Sequence, residues 1–504
     1  MFQEENMRIY SNDDEGVILL KLRDLGEYTE ENIRSYPRIY KSTPLTDLLV
    51  NVNAQYSISP SKVWETAAKR YLLTEVEGIK VDPKGTVLEN AHLMEEAGLD
   101  YFSILFDECY KVGIRPWLSF RMNDLHDNGR VSKTGYPSQS WYTHKARENG
   151  LVRAYYRENA GYYDDALNYL LPEVRAHFLD YIKEQVNAYS VSGIELDFSR
   201  EFLCFPVGLE EEGRRVMLDF FREVREITEA ASKLHGRKIE VMVRAMSRPL
   251  DDFRSGLDVI NAARAGYIDV VVPTAHFSTT DDGCPVELWK RALPENVRLA
   301  VGTEISTMPA PYKGRRPRPD EMFHGLSHNF LSLGADDIYL FNELYAHDIA
   351  EGSFDKLLSP LADRKTLKET NRIIPVSYAN ITAPGEPQPH RLPLRLLESI
   401  WGSSEYRDLR FYVGDNEGET LYLFFAINVE PDRLSLYVNG VEPTYLGKCE
   451  MPQYTENHVL VYSVPPMSGN ERALEIRALD RDGSVDPFID YAEMRNYLSV
   501  DLTK

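Results

Sequence analysis

The stretch WLSFRMNDLHDNGR, Trp117–Arg130, begins as a hydrophobic run and then places Arg121, Asn123 and His126 within six residues. A guanidinium grips anions through a planar fork of donors, an amide orients polar groups, and an imidazole moves protons near neutral pH. Together they suit a site that holds an anion beside a proton transfer. Other segments offer carboxylates: Asp14 in NDDEG, Glu195 and Asp197 in GIELDF, and Glu304 in VGTEI. Arg200 and Arg244 are further guanidinium groups, and Asn342 and Glu343 close the run YLFNE.

Eight short apolar runs can carry these groups, at residues 7–12, 47–53, 115–120, 193–198, 238–244, 269–276, 297–305 and 336–342. Amphipathic stretches at 174–189, 213–234 and 320–334 lie between several of them. Strand and helix in repeated alternation predict an α/β fold, a parallel (β/α)8 TIM-type barrel. An open doubly wound sheet would carry a glycine-rich phosphate loop after its first strand, where this chain has NDDEG.

Alternation along strands sorts the candidates by face. Leu118, Phe120 and Met122 are predicted to face the helices, which turns Ser119, Arg121 and Asn123 to the axis. The same rule sends Glu195, Asp197, Glu240, Arg244 and Glu304 inward, and sets Tyr10, Asn12 and Asp14 opposite Ile9, Ser11 and Asp13. Polar residues therefore collect at the C-terminal ends of the strands, the face that carries active sites in barrel enzymes.

After about residue 355 the pattern changes. The expected organisation is a barrel over 1–355, a proline-rich bridging segment over 356–387 and a C-terminal β-sandwich over 388–504, where short strand signals follow closely and long helical patterns stop. The net charge of −22 disfavours nucleic acid. Cys109, Cys204, Cys284 and Cys449 are isolated, which predicts buried thiols and no structural zinc. No signal peptide or membrane span is visible, so the chain reads as cytoplasmic or as the processed form of a secreted protein. No cofactor or metal is expected: His324 and His328 have metal spacing but sit on an outer helix, where a solvated face is the simpler reading.

Each candidate also has a structural reading. Asp14 could cap a helix. Arg121, Arg200 and Arg244 could be neutralised by Glu195 or Asp197 instead of a ligand. His126 could be a surface loop histidine, and Trp141, Tyr142 and His144 in the following loop could either stack on sugars or pack the loop down.

NDDEG, FRMNDLH, ELDFSRE and YLFNE, in this order, resemble glycoside hydrolase family 156, inverting exo-sialidases built on a (β/α)8 barrel with a C-terminal β-sandwich. The resemblance implies catalytic roles for Asp14 and His126, and contacts to sialic acid from Arg121, Arg200 and Asn342; Asn123 and Arg244, at the same mouth, are candidate substrate contacts from the residue pattern. It also implies a homodimer. The implied ligand is a sialylated glycan or free sialic acid, whose anomeric carboxylate calls for arginine and repels a carboxylate nucleophile, so a base-activated water is the expected attacker. Which of Asp14 and His126 is the acid stays open. Two alternatives stand beside this reading: a two-carboxylate glycosidase acting on a neutral sugar through Asp197 or Glu195 with Glu304, and a carbohydrate-binding protein without turnover.

Overall fold

The computed structural model describes residues 7–26, 28–76, 78–125, 166–199, 201–276, 279–311, 314–396, 405–479 and 486–503. Eight parallel strands close into a barrel: β1 Ile9–Asp13, β2 Asp47–Asn51, β3 Arg115–Arg121, β4 Gly193–Asp197, β5 Glu240–Met246, β6 Val270–Thr274, β7 Arg298–Glu304 and β8 Asp337–Phe341. Each pairs with its neighbours in sequence, and β8 pairs with β1. All eight lie on the predicted runs, with ends displaced by at most two residues. The expected (β/α)8 barrel is thus the observed fold.

The alternation is a packing requirement. Tyr10, Leu49, Trp117, Met242, Tyr339 and Phe341 belong to one apolar cluster inside the barrel. Ile9, Leu48, Leu118, Phe120, Ile194 and Val241 face outward into the core shared with the helices. Trp117 fills the axis, donating from Nε1 to Asp47 Oδ1 at 2.6 Å and meeting the Tyr10 ring edge-on at 5.8 Å between centroids. Gly193 makes room for it on the neighbouring strand.

Four helices matter to the site. α1 (Glu15–Asp24) begins directly after β1, and α2 (Glu30–Arg38) supplies Tyr36 behind it, with Tyr40 just past its end. α3 (Glu210–His235) is long and amphipathic, opens on three glutamates and stops at Gly236 in the left-handed region (φ 65°). α4 (Asp320–Ser332) departs from expectation, because His324 and His328 do not form a solvated face. They are largely buried, with His324 Nε2 at 2.9 Å from the Leu357 carbonyl and His328 Nε2 at 2.7 Å from that of Asp415. Burial pushes the His328 imidazole down to about 4. The cause is tertiary: downstream segments cover this helix, and a helical period cannot report what packs on its outer side.

Those segments form two antiparallel sheets. One orders β9 (Ile373–Pro375), β17 (Phe488–Arg495), β12 (Leu421–Ile427), β15 (Val459–Val464) and β14 (Thr444–Cys449), with β10 (Leu394–Arg395) also on β17. The other orders β11 (Arg407–Tyr412), β16 (Glu471–Ala478) and β13 (Leu434–Val438). Leu409, Phe411, Leu423, Phe425, Leu474 and Ile476 share one core, so the sheets make the expected sandwich. β9 and β10 give it strands N-terminal to those the sequence signalled, and β9 lies inside the predicted bridging segment.

A Cβ at position 193 would lie 2.2 Å from Trp117 Cζ3. Gly193→Ala should therefore lower the unfolding free energy by about 1–3 kcal/mol through overpacking; denaturant titration followed by tryptophan fluorescence reads this loss.

Candidate functional site

The C-terminal mouth of the barrel carries two clusters built around arginines. In the first, Arg121 at the end of β3 donates from Nη2 to Asp14 Oδ2 at 2.6 Å and to Asn51 Oδ1 at 3.3 Å, and from Nη1 to Asp124 Oδ2 at 3.2 Å. Its backbone is clamped by Asn53, which accepts from the Arg121 N–H at 3.2 Å and donates to its carbonyl at 2.9 Å. Asp14 also caps α1, its Oδ1 accepting from Gly16 N–H at 3.0 Å. Asn342, left-handed at φ 62°, accepts from the Asp14 N–H at 2.9 Å. One carboxylate therefore makes both the cap and the contact with Arg121, so a capping role does not exclude Asp14 from the site.

Asp13 turns the other way. Tyr36 and Tyr40 donate to its Oδ2 at 2.7 and 2.9 Å and Leu344 N–H to Oδ1 at 3.1 Å, deep behind the strand. Burial raises its carboxyl, against those three bonds. Glu15, the next residue but one, is fully buried beside Tyr101, and burial holds its carboxyl well above the ordinary range.

In the second cluster Arg244 is 1% exposed, with Asp197 Oδ2 at 3.1 Å, Glu304 Oε1 at 3.5 Å and the Phe341 ring 4.1 Å beneath its guanidinium carbon. Asp197 also accepts from Ser199 N–H at 2.9 Å. Glu195 lies one layer deeper, accepting from Ser119 and Tyr339 hydroxyls at 2.6 Å each and from Asn12 Nδ2. Burial and then the neighbouring Asp197 push its carboxyl up to about 7, against Arg244 and the hydroxyl bonds.

Of the predicted residues, the fold brings Asp14, Arg121 and Asn342 together. It groups Asp197, Arg244 and Glu304 apart from them and sets Glu195 below the mouth. Asn123 lies past the end of β3, accepting from Leu167 N–H at 2.9 Å with Nδ2 at 3.7 Å from Cys204 Sγ. His126 and Arg200 lie outside the described residues, as do Trp141, Tyr142 and His144.

Several residues at the mouth were not singled out beforehand. Asn51 and Asn53 share the inward parity of Leu49 in DLLVNVN, a signal that was available. Asp124 reaches Arg121 only because the chain turns after β3. Arg318 pairs with Glu343 and donates from Nε to the Glu304 carbonyl at 2.6 Å, from a loop with no strand or helix pattern. Glu201 and His276 stand 3.6 Å apart on the loops after β4 and β6. Among the described residues, no group of three or more His, Cys, Asp or Glu side chains is placed to hold a metal, and no helix is long and apolar enough to cross a membrane.

No family model and no curated protein matches the chain. Solved structures align with it at low identity. The chitinase ChiW of a Paenibacillus strain is 12% identical with a TM-score of 0.42; the match covers 96% of this chain and 56% of that one, so this chain spans little more than half its length. The glycoside hydrolase domain of PgaB from Bordetella bronchiseptica is 12% identical with a TM-score of 0.38, over 68% of this chain and 95% of that one. A family 29 α-L-fucosidase from Bacteroides thetaiotaomicron is 10% identical with a TM-score of 0.36, over 95% and 94%.

The two buried carboxyl systems give separate predictions. Arg244→Met should cost about 3–5 kcal/mol, because it leaves Asp197 and Glu304 buried without their cation; a lowered midpoint in thermal unfolding checks it. Glu195 binds its proton more tightly folded than unfolded. Its stabilising contribution is complete below the ordinary glutamate value of about 4.5 and is lost as pH rises through about 7. The stability of wild type relative to Glu195→Gln should therefore fall between about pH 4.5 and 7 and level off above, as read by denaturant unfolding across that range.

Proposed function

We propose that the chain is a glycoside hydrolase and, within that class, an inverting exo-sialidase that releases terminal sialic acid. The observation that carries this reading is the contact between Asp14 and Arg121. An acidic chain keeps a guanidinium at the open end of its barrel, next to a carboxylate with 19% of its side chain exposed. A cation beside a reachable carboxylate suits a sugar whose own carboxylate sits at the reacting carbon.

In this reading Asp14, paired with a guanidinium, is the ionised member of the catalytic couple and acts as base. A water gives its proton to Asp14, and its oxygen bonds to the anomeric carbon from the face opposite the leaving group. The glycosidic C–O bond breaks, and the departing oxygen takes a proton from His126. Arg121 holds the sugar carboxylate. Asn342 fixes Asp14 by its backbone, and Asn53 does the same for Arg121, so neither strand end has to reorganise during the reaction.

The neutral-sugar alternative fits less well. Glu195 is sealed beneath the mouth by three donors, and Asp197 and Glu304 are bound to one buried arginine. An aryl sialoside assay separates the readings. Wild type should release the aglycone, and Asp14→Asn should lose at least about a hundredfold in kcat, as expected for removal of a general base. Activity on neutral aryl glycosides with none on sialosides would overturn the proposal.

A further inference from the structure

We infer that the Asp14–Arg121 contact couples recognition of the substrate's carboxylate to release of the base, so that the site is activated by anionic sugars and stays idle with neutral ones. This rests on the sialidase reading above.

Asp14 is engaged at both oxygens, by Arg121 at Oδ2 and by Gly16 N–H at Oδ1. A carboxylate so engaged accepts a proton from water poorly, because both bonds favour its charged form. Arg121 in turn is shared between two carboxylates that differ in access. Asp124 has a fully buried side chain, whereas that of Asp14 is 19% exposed. A ligand carboxylate arriving from solvent therefore competes with Asp14 for Nη2, while Asp124 keeps Nη1.

The surroundings let this exchange happen without loss of alignment. Arg121 is tied through its backbone to Asn53, so its guanidinium shifts partners while the strand end stays fixed. Asp14 is held by Asn342 through its own N–H and by the α1 cap, so its carboxylate turns from Arg121 but stays at the mouth. Its Oδ2, no longer bonded to Arg121, is then the atom that takes the proton from the attacking water. A neutral sugar makes no comparable claim on Arg121 and leaves Asp14 bound.

This competition can be measured at equilibrium. Titration calorimetry compares wild type and Asp14→Asn, each with N-acetylneuraminic acid and with its methyl ester. Asparagine is as good a helix cap as aspartate, so the variant keeps its fold, which its unfolding midpoint verifies. Removing the competing charge should tighten binding of the acid by at least about threefold and leave the ester unchanged. Equal or weaker binding of the acid by the variant, or an equal gain for the ester, overturns the coupling. A structure of wild type with sialic acid bound gives a second reading that needs no variant: Asp14 Oδ2 should have left hydrogen-bond distance of Arg121, and an unbroken contact overturns the inference. Wild type that hydrolyses sialosides without these signs removes the coupling alone. Wild type that neither binds nor hydrolyses them removes both it and the sialidase reading.

Discussion

A guanidinium inside a closed barrel must be neutralised where it stands, and much of the upper barrel is organised by that demand. Arg244 has almost no contact with solvent. Its charge is met by Asp197 from β4 and Glu304 from β7, and its flat face rests on Phe341 from β8. Three strands are thereby keyed to one side chain of β5. Such a buried triad adds little net stability, because desolvation offsets most of its attraction. What it can provide is register: a strand displaced by one residue would swing a carboxylate to the helix side and leave the arginine bare.

The same demand spreads outward to the loops. Thr280, after β6, accepts the Glu304 N–H through Oγ1 at 2.9 Å, and Arg318 holds the Glu304 carbonyl. Ser377 of the bridging segment bonds the Thr280 carbonyl and caps Asp282 from its N–H at 2.8 Å, and Arg391 from beside β10 pairs with Asp282. The C-terminal part of the chain is thus built into the mouth. Its sandwich buries α4, and its first residues brace the loops after β6 and β7. The dense hydrogen bonding places Glu304 in a rigid setting that the barrel strands alone would not supply.

How much of this was legible depended on the range of the interaction that decides it. The eight strands were, and so were the inward faces of β3, β4, β5 and β7, because alternation is local and the barrel interior enforces it: Trp117 and Met242 lie inside with the parity of Arg121 and Arg244. The meeting of Asp14, Arg121 and Asn342 was partly legible, as each ends a strand at the same face. Their partners were not. Glu195 or Asp197 was one of the partners considered for Arg121 and Arg244; Asp197 does meet Arg244, but Arg121 meets Asp14 and Asp124. Strand parity gives a direction but not how far a long side chain reaches, and β3 ends in a turn that parity cannot anticipate. His324 and His328 failed as a solvated face for a related reason, since what covers α4 comes from far along the chain.

Three arginines at the mouth can be ranked by what a ligand would have to displace. Arg244 is fixed by two buried carboxylates and a ring, and taking it would strand both charges. Arg318 is tied to Glu343 and to the Glu304 backbone, and both of its partners are buried. Arg121 alone among the three has a carboxylate partner that water reaches, and it keeps a buried one, Asp124, when that partner leaves. An incoming anion thus exchanges one solvated contact and uncovers no buried charge. The cost of leaving a charge unpaired falls steeply with solvent access, so this difference in partners sets Arg121, the arginine proposed to meet the ligand, apart from two whose partners are all buried.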